Sequence, residues 1–174
     1  MKKRIPLVAL GLLLTTGLLA QSRFVSTRGK DLIGPDGKPW LIRGTNLGNW
    51  LVPEGYMFKF KSATSPRLIN EVLTELVGPA AMADFWKTYL ASYITAADIH
   101  YLRQLGMNSI RVPFHYKLFT DEDYLGGRGE ARGFRILDSL VSWCRREGLY
   151  VLLDMHCAPG GQTGDNIDDS WAYP

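Results

Sequence analysis

The sequence lacks an excess of charge of either sign, and this balance narrows the classes of partner it can have. It holds 20 lysines and arginines against 17 aspartates and glutamates. Three of the cations, Lys2, Lys3 and Arg4, stand at the extreme N-terminus. Without them acidic and basic residues are equal in number, so the rest of the chain has no net field to attract a nucleic acid or an anionic membrane. We expect a neutral partner.

Cysteine is scarce, with only Cys144 and Cys157 in 174 residues. Cys144 falls late in a predicted helix, and Cys157 falls just after the strand that follows it. At about 3.3 Å per strand residue, the stretch from Tyr150 to Cys157 separates them by roughly 20 Å or more, beyond the roughly 7 Å between Cα atoms that a disulfide allows. We predict two thiols and no disulfide.

Motifs for metals and nucleotide cofactors are also lacking. Asp154 and His156 resemble a ligand pair, but two ligands are too few to specify a metal site. A G-x-G-x-x-G loop is absent, and the glycine-rich stretch Gly160–Gly164 follows a strand without a visible helix after it, which disfavours a phosphate cradle. We predict no metal and no cofactor.

One long apolar run is present, at the N-terminus. Ile5–Ala20 carries no charge, follows the basic residues and leads into Gln21 and Ser22, a pattern typical of a secretory signal peptide. Its length of about 16 residues is short of the roughly 20 that span a bilayer. We predict a signal peptide over residues 1–22, a secreted or periplasmic protein, and no membrane association after cleavage.

Strand and helix signals alternate through the rest of the chain. They predict a turn at Pro35–Pro39, strands at Trp40–Thr45, Asn108–Phe114 and Leu149–His156, and helices at about Ala80–Tyr93, Thr95–Gly106 and Gly133–Glu147. Thr95 with Asp98 three residues on predicts a capping box at the start of the second helix, and Gly148 predicts the end of the third. The nearly continuous apolar residues of the last strand predict that both of its faces are covered.

This alternation favours a parallel sheet, either doubly wound or part of a (β/α)8 barrel. A complete barrel takes about 250 residues, so we interpret residues 23–174 as a truncated, N-terminal part of a barrel with about three strands.

Charged residues within the predicted strands indicate a functional site. Arg111 stands between two apolar strand residues, and a buried guanidinium needs an anion. Asp154 and His156 lie two apart at the end of the next strand and therefore share a face, where polar residues of barrels are commonly catalytic. The alternative is structural: Arg111 pairs with Asp154 across neighbouring strands, and His156 satisfies a loop carbonyl.

Three motifs carry a resemblance to a known family: Arg43–Glu54 (RGTNLGNWLVPE), Ile110–Phe114 (IRVPF) and Leu153–Gly160 (LDMHCAPG). In this order they resemble the first three strand-end motifs of glycoside hydrolase family 5, and most of all its branch of exo-β-1,3-glucanases and related β-glucosidases. The resemblance implies a (β/α)8 barrel that hydrolyses β-glucan or another β-linked oligosaccharide with retention of configuration.

The resemblance also implies roles for individual residues. Arg111 matches the arginine that keeps the nucleophilic carboxylate ionised and oriented, and His156 matches a histidine lining the subsite where the bond breaks. Glu54 matches an acidic residue that receives sugar hydroxyls, and Asp165 and Asn166 fall where the branch has a sugar-contacting Asp-Asn pair. The structural alternatives are a solvated loop carboxylate for Glu54 and a turn residue for Asp165.

Aromatic residues in or next to the strand-end loops could stack on sugar rings: Trp50, Tyr56, Phe58, Tyr116 and Trp171. The alternative is ordinary packing of the loops. We take Tyr116 as a further substrate-binding candidate.

The family's two reacting glutamates are missing from the chain. Retaining hydrolysis needs two carboxyl groups about 5 Å apart, and the resemblance places them on the fourth and seventh strands. The 174 residues alone are therefore expected to be inactive. Gly164 also precedes Asp165 where the branch often has an aromatic residue, which leaves cellulose-type and mixed-linkage substrates open. A secreted, non-catalytic carbohydrate-binding or scaffold protein with a barrel fold is the alternative function.

Overall fold

The computed structural model describes residues 24–161, and the chain divides into two compact units, Met1–Leu41 and Ile42–Pro174. In the first unit, β1 (Ser26–Arg28) and β2 (Asp31–Ile33) form an antiparallel hairpin. The turn predicted at Pro35–Pro39 is confirmed, since the Gly34 amide donates to the Lys38 carbonyl at 2.9 Å and Ile33 bridges to Pro39. The β1–β2 pairing was not predicted.

The second unit contains a parallel sheet of three strands in the order β3–β4–β5, with helices between them. Its elements are β3 (Gly44–Asn46), α1 (Pro66–Val77), α2 (Pro79–Ser92), α3 (Ala96–Gln104), β4 (Ser109–His115), a 3₁₀ turn (Tyr116–Phe119), α4 (Ala131–Glu147) and β5 (Tyr150–Cys157). The predicted parallel sheet is confirmed, although β3 is shorter than the predicted Trp40–Thr45 strand.

Local sequence signals explain where the helices begin and end. The Thr95 amide donates to the Asp98 carboxylate at 2.8 Å, which completes the predicted capping box of α3. Gly148 ends α4 in the left-handed conformation, with φ of 67°. The helix predicted from about Ala80 is α2, which begins at Pro79, a residue favoured in the first helical turn. The separate helix α1 before it was not delimited from the sequence.

The hydrophobic core lies between the sheet and the helices. Alternate residues of β4 point into it, namely Ile110, Val112 and Phe114, and α3 and α4 contribute Ile99 and Leu140. Cys144 and Cys157 are both buried thiols rather than partners in a disulfide, as the sequence predicts. Within residues 24–161 no helix is both long and apolar enough to cross a membrane.

The prediction that β5 is covered on both faces is wrong for the part of the chain that the structure describes. Leu152, Leu153 and Met155 are 40%, 55% and 50% exposed. Among the described residues β5 pairs with β4 alone, so its second edge and much of both faces have no neighbour. The apolar run is typical of a strand that has a neighbouring strand on each side. Among residues 24–161 only β4 is such a neighbour.

Candidate active site

Three titratable side chains of β4 and β5 meet on one face of the sheet, in contact with the C-terminal half of β5. Nη2 of Arg111 donates to Oδ2 of Asp154 at 2.5 Å and lies 3.2 Å from Nδ1 of His156. The same His156 nitrogen is 3.0 Å from Oδ2 of Asp154. The parallel register, with Arg111 opposite Leu152, turns all three side chains to one face of the sheet. The predicted shared face of Asp154 and His156 is confirmed, and so is the Arg111–Asp154 pair of the structural alternative.

Arg111 is less buried than its place between apolar strand residues predicts. The side chains of Arg111 and Asp154 are 37% and 32% exposed. Within residues 24–161, Nε and Nη1 of Arg111 make no further hydrogen bond. The pair with Asp154 therefore leaves most of the five guanidinium donors available to a second carboxylate or to a ligand.

Glu54 joins this cluster from the loop after β3. The residue is only 8% exposed, so the solvated-loop alternative for it is wrong. Burial raises the pKa of the Glu54 carboxyl, while the charge of His156, a hydrogen bond from the Tyr56 hydroxyl and the charge of Arg111 act in the opposite direction. Glu54 is thus an electrostatic neighbour of Arg111 on β4 and His156 on β5.

The raised pKa of Glu54 predicts a pH-dependent effect of removing its charge. Burial penalises only the ionised carboxyl, so stability starts to fall as the pH rises through the ordinary pKa of 4.5 and the loss is complete once the pH has passed the raised pKa of the folded state. We expect Glu54→Gln to raise the melting temperature more at about pH 7 than at about pH 4. Thermal melts at the two pH values measure this, with the exposed Glu75→Gln as the matched control. An equal shift at both pH values would contradict the assignment.

The loop that carries Glu54 is closely packed. The Glu54 carbonyl accepts from the amides of Met57 at 3.0 Å and Phe58 at 3.3 Å, and the Gly55 amide donates to the Thr64 carbonyl at 3.0 Å. A Cβ atom added at Gly55 would overlap the Ala63 carbonyl oxygen and lie 2.8 Å from the Thr64 Cα. Only glycine fits there, so the backbone next to Glu54 has little freedom.

The aromatic candidates separate into packing residues and residues near the cluster. Trp50 is fully buried, and its indole nitrogen donates to the Leu90 carbonyl at 3.0 Å, so sugar stacking is wrong for it. Phe58 packs on Phe60 with ring centroids 5.6 Å apart. Tyr56 is 63% exposed and bonded to Glu54, which makes it accessible to a ligand.

Tyr116 lies half-buried just beyond β4, its ring stacked on that of His115 at 5.1 Å. Its role in substrate binding stays a prediction. Asp165, Asn166 and Trp171 lie outside the described residues, and their roles also stay predictions. Within the described residues no group of three or more metal-ligating side chains comes together.

Sequence reasoning missed Asn49, which supports the site from within the loop. Asn49 is buried with a left-handed φ of 62°, and its side-chain oxygen accepts from the Glu54 amide at 2.9 Å. The only signal was its position in Gly48-Asn49-Trp50, because asparagine tolerates left-handed backbone better than most residues.

Comparisons with known proteins identify the family that the chain resembles. The family model described as Cellulase (glycosyl hydrolase family 5) matches residues 72–172. A β-xylosidase from Phanerodontia chrysosporium is 32% identical over 86% of this chain and 31% of its own length. A glucan 1,3-beta-glucosidase from Candida oleophila is 33% identical over 76% of this chain and 33% of its own length. The chain thus spans about a third of the length of these curated relatives.

Solved structures show the same fold. The crystal structure of a rutinosidase from Aspergillus niger superposes with a TM-score of 0.56 at 23% identity, over 76% of this chain and 38% of the other. That of AoRut gives a TM-score of 0.58 at 24% identity over the same shares. The expected fold class is confirmed: the three parallel strands and their helices are part of a (β/α)8 barrel.

Proposed function

The chain belongs to glycosyl hydrolase family 5, and on that premise we propose that it is the N-terminal part of a secreted enzyme that hydrolyses β-glucan or another β-linked oligosaccharide with retention. We call the polypeptide that carries this chain together with the rest of the barrel the complete protein. The proposal includes removal of residues 1–22 as a signal peptide.

The observation that carries the proposal is the contact of Arg111 on β4 with Asp154 and His156 in the C-terminal half of β5, beside the buried Glu54 of the loop that follows β3. Active sites of (β/α)8 barrels are built at this end of the strands. A partly exposed cluster of carboxylate, imidazole and guanidinium groups offers both acceptors and donors to the hydroxyl groups of a neutral sugar.

In the proposed reaction, the two reacting carboxyl groups come from residues outside this chain. Neither Glu54 nor Asp154 is assigned a reacting role, because the resemblance to the family places both reacting groups on the fourth and seventh strands of the barrel. One outside carboxylate attacks the anomeric carbon while an outside carboxylic acid protonates the leaving oxygen. Water then releases the sugar from the glycosyl-enzyme as the same acid/base group removes its proton.

The residues of this chain bind the sugar and orient the reacting groups. The unused guanidinium donors of Arg111 hold the attacking carboxylate ionised and correctly directed. Glu54 accepts hydrogen bonds from sugar hydroxyls, and Tyr56 and Tyr116 provide polar and aromatic contacts beside it. His156 lines the position of the broken bond, with its ring held by Arg111 and Asp154.

An assay of sugar release tests this division of labour. We expect the complete protein to release reducing sugar from laminarin, barley glucan or carboxymethylcellulose, and purified residues 23–174 to release none, because binding groups without the carboxylate pair cannot supply the chemistry. Following the anomer released first by NMR checks retention. Sustained release by residues 23–174 would reject the assignment of the reacting groups, whereas binding without hydrolysis by the complete protein would favour the carbohydrate-binding alternative.

A further inference from the structure

A short chain of hydrogen bonds connects helix α2 to Glu54 through Asn49. We propose that Asn49 and Tyr89 are positioning residues, which fix the backbone of Glu54 from helix α2 without contacting the sugar. The connection itself is independent of the proposed activity, whereas its effect on sugar binding rests on the proposed function.

Asn49 uses both of its oxygen atoms, one towards the site and one towards the helix. Its side-chain oxygen accepts from the Glu54 amide at 2.9 Å, and its backbone oxygen accepts from the Tyr89 hydroxyl. The left-handed backbone, with φ of 62°, is uncommon for a residue with a side chain. Glycine would adopt it at least as readily, but only a residue with a short polar side chain also supplies the acceptor for Glu54.

Helix α2 provides a rigid anchor for this contact. The Tyr89 ring stacks on Tyr93 with centroids 4.6 Å apart and meets Trp86 edge-on at 5.4 Å. The neighbouring Leu90 carbonyl accepts from the Trp50 indole at 3.0 Å. Consecutive residues of the helix therefore hold consecutive residues of the loop, and loss of the Tyr89 hydroxyl leaves the second contact in place.

The Tyr89 hydroxyl is suited to a permanent donor role. Burial, with a smaller contribution from Tyr93, raises its pKa far above the ordinary value, so the phenol stays neutral. At the other end, the Glu54 carboxyl is buried beside Tyr56, and a small displacement of its backbone changes which sugar hydroxyl it can reach. Weaker fixation should therefore raise KM more than it lowers kcat.

Amide hydrogen exchange at Glu54, measured by NMR on the complete protein, tests the connection. Tyr89→Phe keeps the ring and removes the hydroxyl, and it leaves the atoms of the Asn49–Glu54 bond untouched. We expect it to accelerate exchange of the Glu54 amide by about tenfold, the ratio that corresponds to one net hydrogen bond. Asn49→Gly keeps the left-handed backbone but removes the acceptor, so it should accelerate exchange at least as much, whereas Asn49→Asp keeps an oxygen acceptor and should restore protection.

Asn70→Ala is the matched control. Asn70 on α1 accepts a hydrogen bond of 2.8 Å from the Trp86 indole on α2. Its loss should lower the melting temperature without changing hydrogen exchange at the Glu54 amide. The same variants are assayed for kcat and KM on laminarin, where we expect KM to rise for Tyr89→Phe and Asn49→Gly only.

The outcomes separate the connection from the activity. Unchanged exchange in Tyr89→Phe, or equal acceleration in Asn70→Ala, would overturn the connection. Accelerated exchange with an unchanged KM would overturn its effect on sugar binding. Accelerated exchange in a complete protein whose unaltered form neither binds nor cleaves laminarin, barley glucan or carboxymethylcellulose would support the connection and reject the proposed function.

Discussion

Arg111→Lys is expected to lower the turnover of the complete protein by about 100-fold, the scale on which misplacement of a reacting group acts, with little change in melting temperature. Lysine keeps the positive charge but loses the planar fork of donors that directs a carboxylate. Nη2 of Arg111 is already engaged by Asp154 and His156, so the proposed nucleophile must be held by the remaining nitrogens. A lysine has one nitrogen and cannot serve both groups in fixed geometry.

The structural alternative predicts a loss of stability instead of a loss of turnover. If Arg111 serves only to pair with Asp154, its replacement should leave turnover near normal and lower stability. That ion pair is about one-third exposed, and such pairs contribute about 0–1 kcal/mol, so even its full loss would be a small effect. Turnover of the variant therefore decides between the two roles, and thermal melts check that the variant is folded; near-normal turnover would reject the role of Arg111 in orienting the nucleophile. Arg67→Lys, which alters an ion pair with Glu71 on α1, is the control that should leave turnover unchanged.

Gly55→Ala is expected to lower the melting temperature and to raise KM. The added Cβ would overlap the Ala63 carbonyl oxygen and press on the Thr64 Cα, and neither backbone atom can move aside as a side chain can. Overpacking of this kind costs about 1–3 kcal/mol and sometimes more. The displacement falls on the residue next to Glu54, so KM should rise even at temperatures where the variant is folded.

Gly48→Ala is a matched control in the same loop. Its Cβ would meet only the end of the Met57 side chain, at 3.4 and 3.5 Å, and that flexible group can adjust. We expect nearly unchanged melting temperature and KM for this variant. Similar losses in the two variants would mean that the loop is intolerant of any added methyl group and that the specific overlap at Gly55 does not decide the outcome.

Sequence reasoning succeeded where the signal is local. The capping box at Thr95, the stop at Gly148 and the strand around Arg111 follow from short patterns, and the structure confirms each. The shared face of Asp154 and His156 follows from the two-residue period of a strand. Local rules thus located the centre of the candidate site.

The support of the site depends on contacts between distant residues, which local patterns do not contain. Tyr89 reaches Asn49 across 40 positions, and no period or turn rule predicts that meeting. Trp50 was equally ambiguous, because an indole in a strand-end loop can stack on a ligand or fill the core, and only the position of Leu90 decides between them. The coverage of β5 was mispredicted because an apolar run indicates a strand that is stable when both faces are covered. How much of the strand is exposed depends on which neighbouring elements are present.

The open side of β5 has a consequence for how the polypeptide is made. Synthesis proceeds at about 5–20 residues per second, so this strand emerges seconds before any later segment can pair with it. During that interval Leu152, Leu153 and Met155 belong to an apolar strand whose second edge has no partner among residues 24–161, and such an edge associates readily with other chains. We therefore expect this stretch of the nascent chain to be a site where chaperones bind until a later segment covers it.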